Sequence, residues 1–568
     1  MTTRERKGRR RIFRGTPMSR GLSYGRVHRY RDMLTREVET RYINPEQSKD
    51  EIRRFRLALA GAVRHAHGLT EQAKEVVGPD TATIFLSHQL TLEDRTIIDK
   101  VEECIFVRHI NAEAAVREVF LRKEKELGAV NDATIRSRLD DLRDMHRFIL
   151  RALLGREHLP IKELGGRLVV VADRILPSDI LHLNSRNVAA LISAKGSIHA
   201  HAAILARECS LPFIANVKPP IRNIPDGTEV IVDADTGRIV LNPHPEEVER
   251  CELEHRRRQQ ALKELVRNTR DLRLTEDDVS IRVLANTFVP NDVGTATQLG
   301  ADGIGLYRLE AIYMSTHRAP SEKELYQFLR RSLEPMRGKP ITIRLLDVGG
   351  DKTLAYVPLA AQSSNPLGVR GIRLLLRHSE LIDVQLRVCL RLSAEYDISI
   401  LLPMVTTADE IMHTRRLLNE RMRILQAEGV PLNPNVPLGT MLETPAALLT
   451  FEELIDAADF VSLGTNDLVQ FTMAADRDES EMAAYYHRGV HLLLPWLGKV
   501  LDVCARLGKP CSLCGELATD GRYTKRLLAL GLRDFSVVPY AVPKMKQHIA
   551  ELIDKHTPET RRPVLSHS

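Results

Sequence analysis

The chain of 568 residues is 43% hydrophobic and 28% charged, which is typical of a globular protein with several domains. No stretch approaches the roughly 18 apolar residues of a membrane-spanning helix, so we expect no membrane partner. Residues 1–14 carry seven basic side chains against one glutamate and supply most of the net charge of +7. We therefore predict a disordered basic tail over 1–12 and expect no nucleic-acid partner.

The cysteines indicate the cellular compartment. Seven in a chain of this length are few and odd in number, which favours free thiols and a cytoplasmic location over a disulfide framework. The arginines of "RRRIF" precede no apolar segment, so they do not form an export signal. Cys511 and Cys514 form a CxxC pair, but no second pair stands at zinc-binding spacing, which argues against a zinc site.

Strand-forming and helical segments alternate in the first half of the chain. Residues 13–36 are strand-forming, whereas 37–155 are poor in Gly and Pro and repeat apolar residues at three- and four-residue spacing. That spacing predicts a bundle of antiparallel helices. β-type runs resume within 156–243, including a hairpin at Thr236–Gly237. The helical bundle is therefore predicted to be inserted into an α/β domain made of 13–36 and 156–243.

The second half of the chain predicts a different architecture. The highly charged segment 244–275 is predicted to be an exposed helix that links two domains. Over 276–556, apolar runs alternate with helical segments, which is typical of a TIM (β/α)8 barrel. Residues 557–568 are predicted to be a tail. The eight runs are SIRVLANT, GIGLYR, ITIRLLDV, ISILLPMV, VPLGTMLET, FVSLGTND, KPCSLCGE and DFSVVPY.

Reactive side chains end six of these eight runs. Because the active site of a TIM barrel lies at the carboxyl ends of its strands, these side chains are expected to converge on one mouth. Polar strand ends also serve solubility, and a buried cysteine often only packs, so both simpler interpretations stay open for individual residues. The six residues are Asn286, Arg308, Asp347, Glu443, Asp467 and Cys514.

The acids and arginines among these residues predict the ligand. Glu443 and Asp467 follow neighbouring strands and offer the hard oxygen ligands that Mg²⁺ prefers. Arginine recognises phosphate and carboxylate groups in a bidentate manner, so a cluster indicates a small substrate that carries both. Cys514 would be a neutral thiol able to protonate an enolate. The candidate arginines are Arg308, Arg344, Arg370 or Arg373, and Arg477.

Two histidines precede an apolar helical run in "KGSIHAHAAILAREC" (195–209). A histidine at a helix start can carry a phosphoryl group, because the free N–H groups and the helix dipole favour an anion there. His201 stands closer to the body of the helix than His199. Only Glu208 and Cys209 lie nearby as further ligands, which argues against a metal site.

These motifs resemble the Enzyme I family of the bacterial sugar phosphotransferase system, the phosphoenolpyruvate–protein phosphotransferases. The resemblance runs from about residue 13 to 555 and includes GIGLYRLE, RLLDVGGDK, MLETPAA, SLGTNDLVQFTMAADR and CGELATD. It implies transfer of a phosphoryl group from phosphoenolpyruvate to an enzyme histidine and then to the carrier HPr, with release of pyruvate. It also implies a homodimer formed through the barrel, and "IFLSHQLTLEDRTIIDKV" is similar to the segment that docks HPr.

The resemblance also implies roles for individual residues. His201 would be the phosphorylated histidine, and Cys514 would protonate the enolate. Glu443 and Asp467 would bind Mg²⁺, with Asp467 also near the substrate. The residues that would hold the phosphate and carboxylate groups are Arg308, Arg344, Arg477 and Asn466.

The sequence departs from the family pattern where hydroxyl groups are usual, at Leu176, His199, Ala200 and Leu309. These departures leave open a regulatory phosphorelay paralogue with a divergent carrier. Phosphoenolpyruvate synthase and pyruvate phosphate dikinase share the histidine helix and the barrel. They also need an ATP-binding domain, for which the first 155 residues leave no room.

Overall fold

The computed structural model describes residues 9–30, 34, 39–76, 85, 88, 91–128, 133–155, 167–184, 187–196, 201–209, 211–218, 224–288, 290–314, 318–349, 354, 356, 367–475 and 482–554. The chain divides into two compact units, residues 1–260 and 261–568, and each has its own hydrophobic core. Within the described residues, no helix combines the length and apolar character needed to cross a membrane.

A mixed β-sheet closes on itself in the first unit. Its strands pair in the order β1-β5-β4-β3-β2-β6-β7, and β7 pairs again with β1. Every residue of β3 is buried, as expected for a parallel strand covered on both faces. The α/β fold is confirmed, whereas closure of the sheet was not predicted. The strands are β1 (Arg11–Ser19), β2 (Leu22–Arg29), β3 (Leu168–Ala172), β4 (Val188–Ser193), β5 (Phe213–Lys218), β6 (Glu229–Asp233) and β7 (Arg238–Leu241).

The hairpin predicted at Thr236–Gly237 joins β6 to β7. A carboxylate oxygen of Asp233 accepts the backbone N–H groups of Asp235 and Thr236 at 3.1 and 3.2 Å. Gly237 has a φ of 71°, and a Cβ atom at this position would lie 2.3 Å from the carbonyl oxygen of Gly15. The turn therefore requires glycine for both its dihedral angle and its close packing.

Helices lie between β2 and β3, as the predicted insertion of a helical bundle requires. Within the described residues these are α1 (Ser48–Val76), α2 (Arg95–Arg108), α3 (Ala112–Gly128) and α4 (Ala133–Leu154). The helices that follow β3 are α5 (Pro177–Asn184), α6 (His201–Glu208) and α7 (Pro245–Thr269). A single-turn 3₁₀ helix, Pro45–Gln47, precedes α1.

A fully buried arginine fastens α4 to the α/β part of this unit. The guanidinium of Arg147 donates to the hydroxyl of Tyr30 at 2.7 Å and to the hydroxyl of Ser178 at 2.6 Å. It also pairs with the carboxylates of Asp144 at 2.6 Å and Asp179 at 2.9 Å. The buried charge is thus satisfied on several sides, which a buried ion pair needs to avoid a net cost.

The second unit contains a closed barrel of eight parallel strands, counted over the described residues. Strands β10 to β16 pair in sequence, β16 pairs with β9, and β9 pairs with β10 to close the barrel. Each of the eight predicted apolar runs overlaps one of these strands, so the predicted TIM barrel is confirmed. The bounds are β9 (Val279–Thr287), β10 (Ile304–Arg308), β11 (Pro340–Arg344), β12 (Asp397–Leu402), β13 (Leu438–Leu442), β14 (Val461–Gly464), β15 (Cys511–Cys514) and β16 (Asp534–Val537).

A short strand that we had not predicted, β8 (Leu274–Glu276), pairs antiparallel with β9. Helices separate the barrel strands. The N-cap residue of α10 (Glu322–Leu333) is Ser321, whose side chain forms a capping box with Glu324. The helices are α8 (Pro290–Gln298), α9 (Glu310–Met314), α10 (Glu322–Leu333), α11 (Ile372–Arg377), α12 (Ser379–Leu392), α13 (Ala408–Ala427), α14 (Pro445–Leu449), α15 (Phe451–Ala457), α16 (Thr465–Met473), α17 (Ala483–Arg506), α18 (Glu516–Thr519), α19 (Gly521–Ala529) and α20 (Val542–Asp554).

Replacing Arg147 by methionine tests how strongly α4 is fastened. Arg147→Met leaves the carboxylates of Asp144 and Asp179 buried without their cation, so we expect the first unit to lose about 3–5 kcal/mol of stability. Scanning calorimetry measures this loss. The control is Arg56→Met, because Arg56 forms an exposed ion pair with Glu102 and its loss should leave the melting temperature unchanged. Equal melting temperatures for both variants would contradict the expectation.

Candidate active sites

The first candidate site is the imidazole of His201, the first residue of α6. Its Nδ1 lies 3.0 Å from each carboxylate oxygen of Asp141, which belongs to α4. The side chain of His201 remains 26% exposed, while that of Asp141 is only 7% exposed. An ionised carboxylate can only accept hydrogen bonds, so Nδ1 is the donor in this contact.

Asp141 is ionised although it is buried. Burial would by itself raise the pKa of its carboxyl group, but the contacts with His201 and His88 outweigh burial and lower this pKa below its ordinary value. The imidazole of His88 is fully buried, and its Nε2 lies 3.2 Å from a carboxylate oxygen of Asp141. This contact lacks the alignment of a complete hydrogen bond.

Of the three departures from the family pattern near His201, the structure describes only Leu176. Leu176 is fully buried, and its backbone N–H donates to Asp179 at 2.9 Å. Its side chain offers no hydrogen-bonding atom. His199 and Ala200 lie outside the described residues.

The second candidate site lies at the carboxyl ends of the barrel strands. Arg308 and Arg344 end β10 and β11 and are paired neighbours in the sheet register. The guanidinium of Arg308 lies 4.2 Å from the ring centroid of Phe288, which holds it by a cation–π contact. The guanidinium of Arg344 is buried and donates to the carboxylate of Glu310.

Further ion pairs, made by Asp347, Arg370 and Asp467, lie next to these arginines. Asp347 accepts two hydrogen bonds from Arg370, at 2.9 and 3.0 Å, and lies 3.3 Å from Arg344. Arg370 also donates to Asp467 at 3.3 Å. The sequence left Arg370 and Arg373 as alternatives, and Arg370 is the one that joins the mouth. Arg373 instead contacts Thr406.

Glu443 directly follows β13 and is buried. Its carboxylate accepts the backbone N–H of Met404 at 2.7 Å. Burial, and then the nearby carboxylates of Asp467 and Asp347, raise the pKa of Glu443 to about 8. A Cβ atom at Gly464 would lie 2.7 Å from the Cβ of Glu443, so glycine at this strand end makes room for the acid.

Cys514 ends β15 with its thiol almost fully buried. The thiol donates to the carbonyl oxygen of Leu463 at 3.4 Å and accepts the hydroxyl of Ser462 at 3.4 Å. Burial raises the pKa of the thiol, and the hydrogen bond from Ser462 lowers it less than burial raises it. Cys514 therefore carries its proton at neutral pH.

Asn466 and Asp467 stand in the first turn of α16, immediately after β14. The side-chain oxygen of Asn466 accepts the backbone N–H of Glu516 at 3.0 Å. Gly515 has a φ of 117°, and a Cβ atom there would lie 2.9 Å from this amide oxygen. Two glycines thus open space at neighbouring strand ends. Arg477, the remaining predicted substrate residue, lies outside the described residues.

Two of the predicted strand-end residues, Asn286 and Asp347, make different kinds of contact. Asn286 donates to the carbonyl oxygen of Ser536 and accepts from its hydroxyl at 2.6 Å, so this side chain ties β9 to β16. Asp347 instead joins the charged cluster. Sequence reasoning missed Glu310 and, in the first unit, Asp141 and His88. For Glu310 the only signal in the sequence was the acid of "YRLE", and for Asp141 it was the pair of acids in "RLDDLRD".

The mouth combines charges that suit an anionic ligand and a hard cation. Within the described parts of the chain, no three His, Cys, Asp or Glu side chains gather as a metal site. Mg²⁺ needs only one or two carboxylates, since water and substrate oxygens complete its shell. Guanidinium groups, two acids and a protonated thiol can together bind a small phosphorylated carboxylate and deliver a proton.

Comparisons with known proteins assign the whole chain to one class. Three family models match in succession: "PEP-utilising enzyme, N-terminal" over residues 14–138, "PEP-utilising enzyme, mobile domain" over 165–237 and "PEP-utilising enzyme, PEP-binding domain" over 263–553. PEP stands for phosphoenolpyruvate. These ranges include His201 and the barrel mouth, whereas Asp141 lies between the first two ranges.

Relatives match over nearly the full length. The phosphoenolpyruvate-protein phosphotransferase of Geobacillus stearothermophilus is 32% identical over 558 residues, which cover 98% of this chain and 96% of that protein. That of Bacillus subtilis (strain 168) is 30% identical over 557 residues, or 98% and 97%. A solution structure of Enzyme I is 26% identical, covers 44% of this chain and 99% of that chain, and has a TM-score of 0.37.

The family models and the long alignments agree with the motifs at the strand ends. The chain is an enzyme that belongs to the family of phosphoenolpyruvate-protein phosphotransferases.

Proposed function

We propose that this protein transfers the phosphoryl group of phosphoenolpyruvate to His201, releases pyruvate, and passes the phosphoryl group to a histidine of an HPr-like carrier. The observation that carries the proposal is a protonated thiol, Cys514, in the electrostatic field of Arg308 and Arg344 at the barrel mouth. A thiol in this environment suits protonation of an enolate, which is the step that turns the product of phosphoryl transfer into pyruvate.

The proposed chemistry follows from the charges. The Nε2 lone pair of His201 attacks phosphorus, and the bond from phosphorus to the enol oxygen breaks with its electron pair on oxygen. Cys514 then delivers its proton to the methylene carbon of the enolate, and water restores the thiol. Arg308 and Arg344 stabilise the negative charge that a phosphoryl-transfer transition state spreads over its oxygens.

Glu443 and Asp467 suit a Mg²⁺ ion at this mouth. Burial and the nearby carboxylates of Asp467 and Asp347 raise the pKa of Glu443 to about 8, which indicates excess negative charge at this site and supports this interpretation. The ion would supply further charge stabilisation for the bound phosphate. Asn466 would contribute a polar contact to the phosphate, and Arg477 a further cation.

The proposed cycle also assigns roles to larger regions. Residues 37–155 would dock the carrier, 13–36 with 156–243 would carry the reactive histidine, and 276–556 would bind phosphoenolpyruvate. The charged helix within 244–275 would link the last two. The family resemblance also supports a homodimer formed through the barrel.

His201 is tested first, by intact-protein mass spectrometry. After incubation with phosphoenolpyruvate and Mg²⁺, we expect the wild-type protein to gain one acid-labile phosphoryl group and a purified HPr-type carrier to remove it. His201→Ala should abolish the gain because the acceptor nitrogen is gone. His199→Ala serves as the control and should retain at least part of it. Loss only in His199→Ala would contradict the assignment of the acceptor.

Cys514→Ala separates proton delivery from packing. Without the thiol the enolate has no positioned acid, so pyruvate formation should slow about 100-fold or more, while titration calorimetry should still detect phosphoenolpyruvate binding. Cys504→Ala is the matched control, since Cys504 is a buried thiol in α17. If both variants slowed equally, the role of Cys514 would be packing alone.

Glu443→Gln tests the buried acid in the protein without divalent metal. The raised folded-state pKa means that unfolding releases a proton between about pH 4.5 and pH 8, so ionisation opposes folding increasingly across this window. The variant should therefore stabilise the barrel by about 1–3 kcal/mol at pH 8 and little at pH 5, while losing Mg²⁺-dependent turnover. Calorimetry in EDTA measures the first effect, with the exposed Glu452→Gln as control. A variant that is less stable than wild type at pH 8 would refute the expectation.

A further inference from the structure

We propose that Asp141 is a positioning residue for His201: it holds the imidazole in the tautomer with the proton on Nδ1, so that Nε2 is the atom that receives the phosphoryl group. The inference rests on the proposed function, in which His201 is the acceptor. It adds a residue of the helical insertion to the reactive site of the α/β part.

The geometry of the contact defines the tautomer. Both carboxylate oxygens of Asp141 lie 3.0 Å from Nδ1 of His201. A carboxylate accepts and does not donate, so the proton belongs to Nδ1, and in the neutral ring Nε2 then holds the lone pair. In water a neutral imidazole prefers the opposite tautomer. The contact therefore imposes a state that the free side chain would not favour.

The same contact balances charge during transfer. When Nε2 forms its bond to phosphorus, the proton stays on Nδ1 and the ring becomes an imidazolium. The ionised carboxylate of Asp141 faces that new positive charge at hydrogen-bonding distance, and it has only 7% of its own surface exposed to competing water. Such a preorganised charge stabilises the transition state without rearrangement. The electron pair of the broken phosphorus–oxygen bond leaves with the enolate.

His88 contacts the same carboxylate. It is fully buried, with its Nε2 3.2 Å from Asp141, and its ring packs edge-on against Phe85 at a centroid distance of 5.3 Å. The ring orientation is thereby fixed by packing. Leu176, where the family carries a hydroxyl, offers His201 no such polar partner. Asp141 therefore supplies the acceptor that the leucine lacks.

Asp141 is not needed to fasten α4 to the rest of the unit. The carboxylate of Asp140, one residue earlier, already accepts hydrogen bonds from Arg174 at 2.9 Å and from Arg143 at 3.1 Å. Asp144 accepts from Ser178 at 2.7 Å. Its neighbours on α4 thus make the structural contacts, whereas Asp141 faces two imidazoles. This division separates a role in docking from a role in orienting His201.

The test uses the full chain with ¹⁵N-labelled histidine, as wild type, Asp141→Ala, Asp141→Asn and Asp140→Asn. The ¹⁵N shifts of the His201 ring, identified by their loss in His201→Ala and read at a pH where the ring is neutral, report which nitrogen holds the proton. Rapid-quench experiments with phosphoenolpyruvate and Mg²⁺ give the rate of His201 phosphorylation. Calorimetry reports the stability of each variant.

We expect the wild type and Asp140→Asn to show the proton on Nδ1 and similar rates. Asp141→Ala should move the proton largely to Nε2 and slow phosphorylation about 10- to 100-fold, the range seen when the partner of a functional imidazole is removed. Asp141→Asn keeps the shape and a carbonyl oxygen, so it should slow transfer while moving the tautomer less.

Two results would overturn the inference. One is an unchanged tautomer and rate in Asp141→Ala; the other is an equal slowing in Asp140→Asn with an unchanged tautomer, which would make the effect structural. Failure of the wild type to gain any phosphoryl group would instead overturn the proposed function itself. The tautomer measurement does not depend on phosphoenolpyruvate, so the two failures are distinguishable.

Discussion

In a closed parallel sheet, every strand delivers its carboxyl end to the same rim, and the pairing of β9 with β10 imposes that closure here. The side chains that follow the strands therefore all lie at one mouth of the barrel. Arg308 and Arg344 become neighbours through strand register alone, although 35 residues of other structure separate them in sequence. The chemistry of the second unit depends on this constraint more than on any single contact.

Convergence of this kind concentrates charge where water is scarce. Burying a carboxylate or a guanidinium costs several kcal/mol unless partners satisfy it. At the mouth, acidic and basic side chains offset this cost by pairing with one another. Glu310 holds Arg344, and Asp347 holds Arg370 through two hydrogen bonds. Burial and the nearby carboxylates of Asp467 and Asp347 raise the pKa of Glu443 despite the nearby cation of Arg344. This excess of negative charge is consistent with the cation that we propose for the mouth.

In the first unit, the imidazole of His201, the proposed phosphoryl acceptor, lies where the helical insertion meets the α/β part. Helix α4 presents Asp140, Asp141, Asp144 and Arg147 within about two turns. Three of these side chains satisfy charged or hydroxyl partners of the α/β part and so keep the helical insertion in place. The fourth, Asp141, meets His201. Neighbouring positions of one helix therefore fasten the helical insertion and make the contact that we propose orients the imidazole.

The sequence by itself determined the two architectures, because hydrophobic periodicity and strand-ending motifs are local properties. The eight apolar runs, the inserted helices and the Thr236–Gly237 hairpin could all be predicted, and so could Arg308, Glu443, Asp467 and Cys514 as candidates. Only the tertiary structure decided which acid faces which cation. Arg370 rather than Arg373 reaches the mouth, Asn286 ties two strands, and Asp141 rather than Asp140 meets His201. Those choices depend on side-chain direction across elements distant in sequence, and periodicity does not carry that information.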